Sequence, residues 1–545
     1  MAPEPSFSAF SPFRHKLYVA YWLTALAANF GWLIQVVGTS WMMTSIGGSA
    51  QMVGLVQTSL ALPTMLFSLA AGAMADTFGR RTMVLWSQAY LFCVSMALAV
   101  AAWTGWVTPW ILLLFTFLIG TGKALNNPAW QTIVSEFMPK SELPQAIALN
   151  SMGFNMARSV GPAIGGAIVA AVGAFAAFLI NALSNVFMLV VFWRWKSAPR
   201  QSDLPPERVV PAMVTGLRYV AMSPHLLRVM LRSTVYSFAG ISFMSLMPII
   251  ARDILGGGVQ TYGILLGAFG VGAICGGVFS ARLQRALKLE PRAKLGFIVL
   301  AVTGVVVGVS TNLSLTLLAM AVAGASWVMT LSAFNTSVQM ASPRWVVSRC
   351  LALYQTCSFA GQASGALMWG WVATHFGTAM AMYASAVGLL LGAALGLVLG
   401  LREFDSSNLD PHGKWTKPEM QLDLQLRSGP MMTTIEYKID EADIDAFLEI
   451  MAERRRTRRR DGAVDWNLSR DIEHPELWTE RYTLPTWGDT LRFHERRTLA
   501  DAALNERLLG LHRDGSHRFT TRHHLLRQPS AHRPHEPLLH HDHHH

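Results

Sequence analysis

Lys123 and Arg158 stand where a chain normally avoids charge. Each lies within a mostly apolar run, about fifteen residues in from one end of its run and about thirteen in from one end of its own. At 1.5 Å per helical residue, both positions approach the middle of a bilayer. An ion there is costly and is usually kept for a function. No acidic residue sits at comparable depth. The pair therefore favours an anionic or catecholate-like ligand, with Asn127, Asn155, Gln35 and Gln355 as neutral contacts. Two other readings stay open at this point: Lys123 snorkels toward headgroups, and Arg158 clamps helix carbonyls and asparagines. Other chemistry is thinly represented. There is no GxxxxGK[ST] phosphate loop, which disfavours direct ATP coupling. A proton gradient is the default driver, and Glu136 and Asp253, both peripheral, are the proton-coupling candidates beside Asp76. Cys93, Cys275, Cys350 and Cys357 fall in apolar runs without CxxC spacing, so no disulfide frame, metal site or cofactor is expected.

The elements that must position these residues follow from composition. Of 545 residues, 52% are hydrophobic and 14% charged, roughly half the charged share of an average soluble chain. The net charge of +11 is unevenly placed: residues 17–401 hold 20 basic and 7 acidic side chains, and residues 402–545 hold 22 and 25. The basic excess sits inside the apolar part, so nucleic acid is not an expected partner. Twelve runs are long enough to span a bilayer: 17–41, 51–75, 82–104, 108–132, 145–170, 173–195, 230–251, 260–282, 294–311, 313–339, 350–374 and 377–401. Lys and Arg cluster in alternate loops, at Arg80 and Arg81, Lys140, residues 194–232, residues 282–294, and Arg344 and Arg349. By the positive-inside tendency those loops are cytoplasmic, as are both termini, in a cell (inner or plasma) membrane. No cleavable signal peptide is read at the N-terminus.

The runs also repeat. Gly161-Pro162-Ala163-Ile164-Gly165 aligns with Gly361-Gln362-Ala363-Ser364-Gly365 at an offset of 200, which sets Ser358 opposite Arg158. The expected division is a cytoplasmic N-terminus (1–16), a six-helix bundle (17–195), a cytoplasmic connector (196–229) and a second six-helix bundle (230–401). A linker (402–430), a cytoplasmic α+β domain (431–530) and a His-rich tail (531–545) follow.

Between runs 2 and 3 stands Gly72-Ala-Met-Ala-Asp76-Thr-Phe-Gly79-Arg80-Arg81. It resembles the cytoplasmic-loop signature of the major facilitator superfamily, and the resemblance implies latch roles for Gly72, Asp76, Gly79, Arg80 and Arg81. The second-half counterpart, GGVFSARLQRAL, has lost the pattern. Gly161, Pro162, Gly165 and Gly166 look like the gate-helix signature of exporters in that superfamily; physically, the proline removes a helix hydrogen bond and the glycines admit a close neighbour. The stretches 61–76, 126–166 and 247–273 are similar to one branch, the transmembrane secretion effectors, which include the enterobactin exporter. The resemblance implies an all-α polytopic membrane protein of twelve helices in two six-helix pseudo-repeats, exporting small siderophore- or drug-like molecules.

In the tail, MMTTIEYKI alternates as a strand, and DEADIDAFLEIMAERRR reads as an amphipathic helix. The element order βαββαα(β) suggests a small ferredoxin-like α+β module, similar to domains that pair as dimers. His474, His494, Trp466 and Trp487 lack ligand spacing and are read as packing or solvated residues, and the arginines from Arg454 to Arg460 as a solvated helix end. The function expected is a secondary active exporter working by alternating access in the lipid bilayer. The alternatives are a membrane-bound sensor or scaffold signalling through the tail, and a membrane-anchored tail enzyme.

Overall fold

The computed structural model describes residues 10–46, 49–139, 141–195, 209–343, 345–401, 421–496, 498–513 and 519–526. Lys140, Arg344, the first part of the connector, most of the linker and the His-rich tail lie outside the described residues, as do the side chains of Gly72 and Asp76. The chain forms two compact units, Met1–Asp405 and Ser406–His545.

In the first unit the N-terminal bundle comprises α1 (Lys16–Ser45), α2 (Ala50–Phe78), α3 (Arg80–Trp103), α4 (Pro109–Phe137), α5 (Leu143–Val172) and α6 (Ala174–Arg194). The connector contains a short amphipathic helix, α7 (Val209–Ala221). The second bundle has a first span broken into α8 (Pro224–Gly240), α9 (Ser242–Ile249) and a π turn (Ile250–Ile254). It continues with α10 (Val259–Ala286), α11 (Leu289–Val309), α12 (Leu313–Met340), α13 (Val347–Phe376) and α14 (Thr378–Val398). The first of these spans starts at Pro224, earlier than the apolar run predicts, because proline suits the first helical turn and its missing N–H costs nothing there.

Twelve helical spans result among the described residues, ten of which are long and apolar enough to cross a membrane by themselves. The other two, α5 and α13, are 30 residues each and are diluted by polar side chains such as Asn155, Arg158, Gln355 and Gln362. Both lie on the seam between bundles, where protein rather than lipid surrounds much of their surface. Tryptophans mark the lipid interfaces. Trp103, Trp106 and Trp110 are exposed at one end, and Trp86 and Trp193 at the other. On α3, Trp86 and Trp103 stand about 25 Å apart, close to the thickness of a hydrocarbon core.

Packing reproduces the repeat. Gly161 and Gly165 face Leu33 and Ile34 of α1, while Gly361 and Gly365 face Thr234 and Phe238 of α8, so span 5 packs on span 1 as span 11 packs on span 7. Gly173 (φ +97°) and Gly377 (φ +88°) each turn the chain directly from one helix into the next at matching places in the two halves, a left-handed conformation that glycine adopts without strain.

The second unit contains β1 (Met431–Lys438), α15 (Ile444–Asp461), β2 (Val464–Arg470), β3 (Leu477–Leu484), α16 (Trp487–Glu495), α17 (Leu499–Leu511) and β4 (Thr520–Leu525). The strands are antiparallel in the order β2-β3-β1-β4, the ferredoxin-like arrangement. Ile435, Tyr437, Phe447, Met451, Tyr482 and Leu508 are among the residues of its core. The arginine run of α15 is not a solvated end throughout. Arg454 and Arg458, one turn apart, are buried and ion-pair with Glu480 of β3 at 3.0 and 3.3 Å. Tyr437 and Trp466 donate to the same carboxylate at 2.6 and 2.9 Å, and Arg458 stacks on Tyr482 and Phe493. The i, i+4 spacing that aligns two arginines on one helix face aims them at a sheet residue far away in sequence. Of the four aromatic and histidine residues singled out, His474 is exposed, while Trp487 and His494 are buried.

Candidate functional site

The two bundles meet along glycine-rich helix pairs. Gly54 of α2 lies against Ala366 and Gly370 of α13, and Gly166 of α5 against Gly263 of α10. Thr58 donates to the Ala363 carbonyl at 2.9 Å, and the Gln51 amide to the Thr374 hydroxyl at 2.9 Å. At the same end, Arg252 donates to the Thr44 carbonyl at 2.9 Å and holds Asp253 at 2.6 Å. These contacts concentrate at the end of the bundles opposite the arginine-rich loops.

Toward the arginine-rich end the bundles enclose a cavity of about 880 Å³. Its walls run from Val36 and Pro162 near mid-span to Tyr21, Val134 and Ile147 near the ends of α1, α4 and α5. Lys123 and Asn127 of α4 and Asn155 and Arg158 of α5 line it, as their depth in the sequence predicts. The Lys123 ammonium sits 5.3 Å from the Trp32 ring centre. The Arg158 guanidinium sits 5.9 Å from that of Phe269, which belongs to the opposite bundle. Among the described residues no carboxylate lines the cavity and neither cation has an ion-pair partner. Ring faces supply partial compensation, about 0.5–2 kcal/mol each, and leave both charges available to an anion.

Gln35 and Gln355 do not line the cavity. Gln35 is buried in the first bundle, where its amide oxygen accepts from Ser95 at 3.3 Å and also from Asn181. Gln362 of α13 reaches the cavity instead, two helical turns beyond Gln355, together with Asn29, Gln57 and Asn150. These polar residues sit in apolar runs at helical spacing, a signal that was present in the sequence.

The two proton-coupling candidates are also placed. Glu136 pairs with Arg80 at 3.7 Å near the basic end of α4, and Asp253 pairs with Arg252 at the far end. Arg80 also donates to Ser135 at 3.2 Å. Arg81 donates to the Phe192 and Trp193 carbonyls at 2.9 and 3.1 Å, a cation at the negative C-terminus of α6. These contacts of the loop motif stay within the first bundle. Gly79, at φ +85°, turns the chain from α2 into α3. Of the gate-helix motif, Gly161 and Gly165 pack within the first bundle and Gly166 on the seam, while Pro162 reaches the cavity wall.

Two pseudo-symmetric six-helix bundles, sealed along one end and parted around a polar cavity toward the other, define a major facilitator transporter fold. The chain belongs to the transmembrane secretion effector family, whose model matches residues 7–530. Among relatives, the staphyloferrin A transporter of Staphylococcus aureus (strain NCTC 8325 / PS 47) is 24% identical over 45% of this chain and 61% of its own length. The multidrug efflux pump Tap of Mycolicibacterium fortuitum is 26% identical over 70% of this chain and 95% of its own. Among solved structures, a bacterial homologue of the human lysosomal transporter Spinster, inward-facing and unoccupied, superposes with a TM-score of 0.59 at 15% identity, covering 71% of this chain and 97% of that one. A D-xylose–proton symporter gives 0.57 at 13% identity, over 69% and 96%. Both structural likenesses speak for the fold alone.

Proposed function

We propose that the protein is a secondary transporter that exports anionic small molecules by alternating access, with Lys123 and Arg158 holding the anion between the bundles. The observation that carries this reading is a cavity at mid-membrane depth containing two cations and no carboxylate among its described lining residues. The names of relatives, a siderophore transporter and an efflux pump, agree with it. The basic loops are assigned to the cytoplasm by their charge, along with both termini, so the arrangement described is inward-facing. Asn127 and Asn155 are then neutral contacts to the substrate, and Arg80, Arg81 and Glu136 belong to the cytoplasmic latch. Gly72 and Asp76 join that latch on the strength of the sequence motif, and Asp253 with Arg252 holds the outer side. The tail serves assembly, including pairing with a second copy, rather than catalysis.

Alternating access is tested at the outer seam. A Cβ on Gly54 would stand 2.5 Å from the Ala366 carbonyl oxygen, so a larger residue forces α2 and α13 apart where they seal. Gly54→Leu in a cysteine-free background is expected to raise maleimide labelling of a cysteine at Gln51 and to lower it at Ser151, which lines the cavity. Labelling at both sites that stays as in the parent would favour a fixed receptor body over a transporter.

A further inference from the structure

We infer that an anion leaves on the membrane potential alone, with no proton exchanged for it. This rests on the anionic-substrate reading above. Residues 17–401 contain seven acids: Asp76, Glu136, Glu142, Asp203, Glu207, Asp253 and Glu290. Four are described with their ion pairs, all near helix ends: Glu136 with Arg80 (3.7 Å), Glu142 with His15 (3.5 Å), Asp253 with Arg252 (2.6 Å) and Glu290 with Arg232 (3.2 Å). Asp76 falls in the last turn of α2, and Asp203 and Glu207 fall in the connector outside the described residues. The two histidines in the same stretch also sit at helix ends, His225 beside Ser337 at 3.0 Å and His375 on the Trp371 carbonyl at 2.9 Å. Among the described residues, none of these groups lines the cavity. The Tyr21 hydroxyl does, held by Asn150 at 3.2 Å, but phenols ionise only far above neutral pH.

Arg158 holds its charge across the accessible pH range, which leaves Lys123 as the one group among the described lining residues able to carry a proton. Antiport requires proton and substrate to compete, and here they would cooperate: an anion binds the ammonium more tightly than the amine. A proton carried on Lys123 would travel outward with the anion, against an inward proton gradient. A Lys123 that keeps its proton through the whole cycle avoids that cost. The inside-negative potential then supplies the driving force, since each elementary charge crossing it is worth roughly 2.3 kcal/mol per 100 mV, or about 50-fold in concentration.

The full chain reconstituted in liposomes tests this with naphthalene-2-sulfonate. That probe is ionised at every working pH, so no neutral form leaks along a pH gradient. With valinomycin and a potassium gradient setting the interior about 100 mV positive at equal pH, the sulfonate should accumulate up to about 50-fold, and the neutral naphthalene-2-sulfonamide should only equilibrate. At clamped zero potential, a pH gradient should leave the sulfonate only equilibrated between the two sides, with no accumulation against its own gradient. Sulfonate accumulation driven by the pH gradient at zero potential would overturn the inference while leaving an anion transporter. Protein-dependent movement of the sulfonamide but not the sulfonate would remove the anionic reading and the inference with it. Movement of neither would count against the proposed transport of this substrate class.

Discussion

Arg158→Gln is expected to weaken binding of naphthalene-2-sulfonate about 10- to 150-fold, the worth of one charged hydrogen bond, about 1.5–3 kcal/mol. The neutral sulfonamide should bind within about twofold of its affinity for the parent. The contrast follows from what Arg158 touches. Its guanidinium rests on Phe269, and among the described residues it makes no hydrogen bond or ion pair, so removing it leaves no orphaned partner. A structural clamp would give a different pattern, with lower folded yield, a lower melting temperature and equal loss for both compounds. Calorimetric affinities for the two probes, read beside the thermal melt of the same preparation, separate the cases.

Glu480→Gln is expected to cost the tail unit about 3–5 kcal/mol, because it strands Arg454 and Arg458 in the interior without a counter-charge. That is a large part of the stability of a small domain. It should lower the melting temperature of the residues 421–530 fragment by on the order of 15 °C. Substituting Leu for Glu480 together with Met for both arginines should recover most of the loss, since an apolar replacement of similar volume leaves nothing unpaired. Burial alone would raise the Glu480 carboxyl; the two guanidinium groups and the donors Tyr437 and Trp466 outweigh it and hold the group at about 2. A folded-state value below the unfolded one adds stability that is complete above the ordinary carboxylate range and is lost as pH falls from about 4 toward 2. Denaturant midpoints between pH 6 and pH 2 should therefore fall for the parent and change less for the apolar triple variant. A Glu480→Gln melt within 3 °C of the parent would refute the role assigned to the network.

The contrast between the two units shows what a sequence carries. Membrane spans are legible because bilayer thickness fixes run length, and the depth of Lys123 and Arg158 follows from counting residues. Sites built from one helix face were also legible: Lys123 and Asn127 are one turn apart on α4, and Asn155 and Arg158 nearly so on α5. The rotation of a helix about its axis is set by its neighbours and not by its run. That is why Gln35 turned into the bundle core toward Asn181 and why Gln362 rather than Gln355 faces the cavity. Arg454 and Arg458 read as part of a solvated helix end for the same reason. Their i, i+4 spacing was visible, but the buried Glu480 that makes their burial tolerable arrives from a strand more than twenty residues later. The ferredoxin-like element order of the tail is legible from alternation and helical periodicity, whereas the buried charge cluster depends on tertiary contact.

The central claim is outward movement of an anion through the cavity that holds Lys123 and Arg158. Its most direct measurement is the rate at which naphthalene-2-sulfonate is lost from energised cells that express the chain, express the Lys123→Gln, Arg158→Gln double variant at equal membrane abundance, or lack it. Because the dye enters intact cells slowly, all three are preloaded to the same level by transient permeabilisation and followed after resealing. The account predicts that only cells with the parent chain lose the sulfonate quickly, and that the double variant behaves like cells without the protein. Equal retention in all three, or loss through the double variant as fast as through the parent, would contradict it.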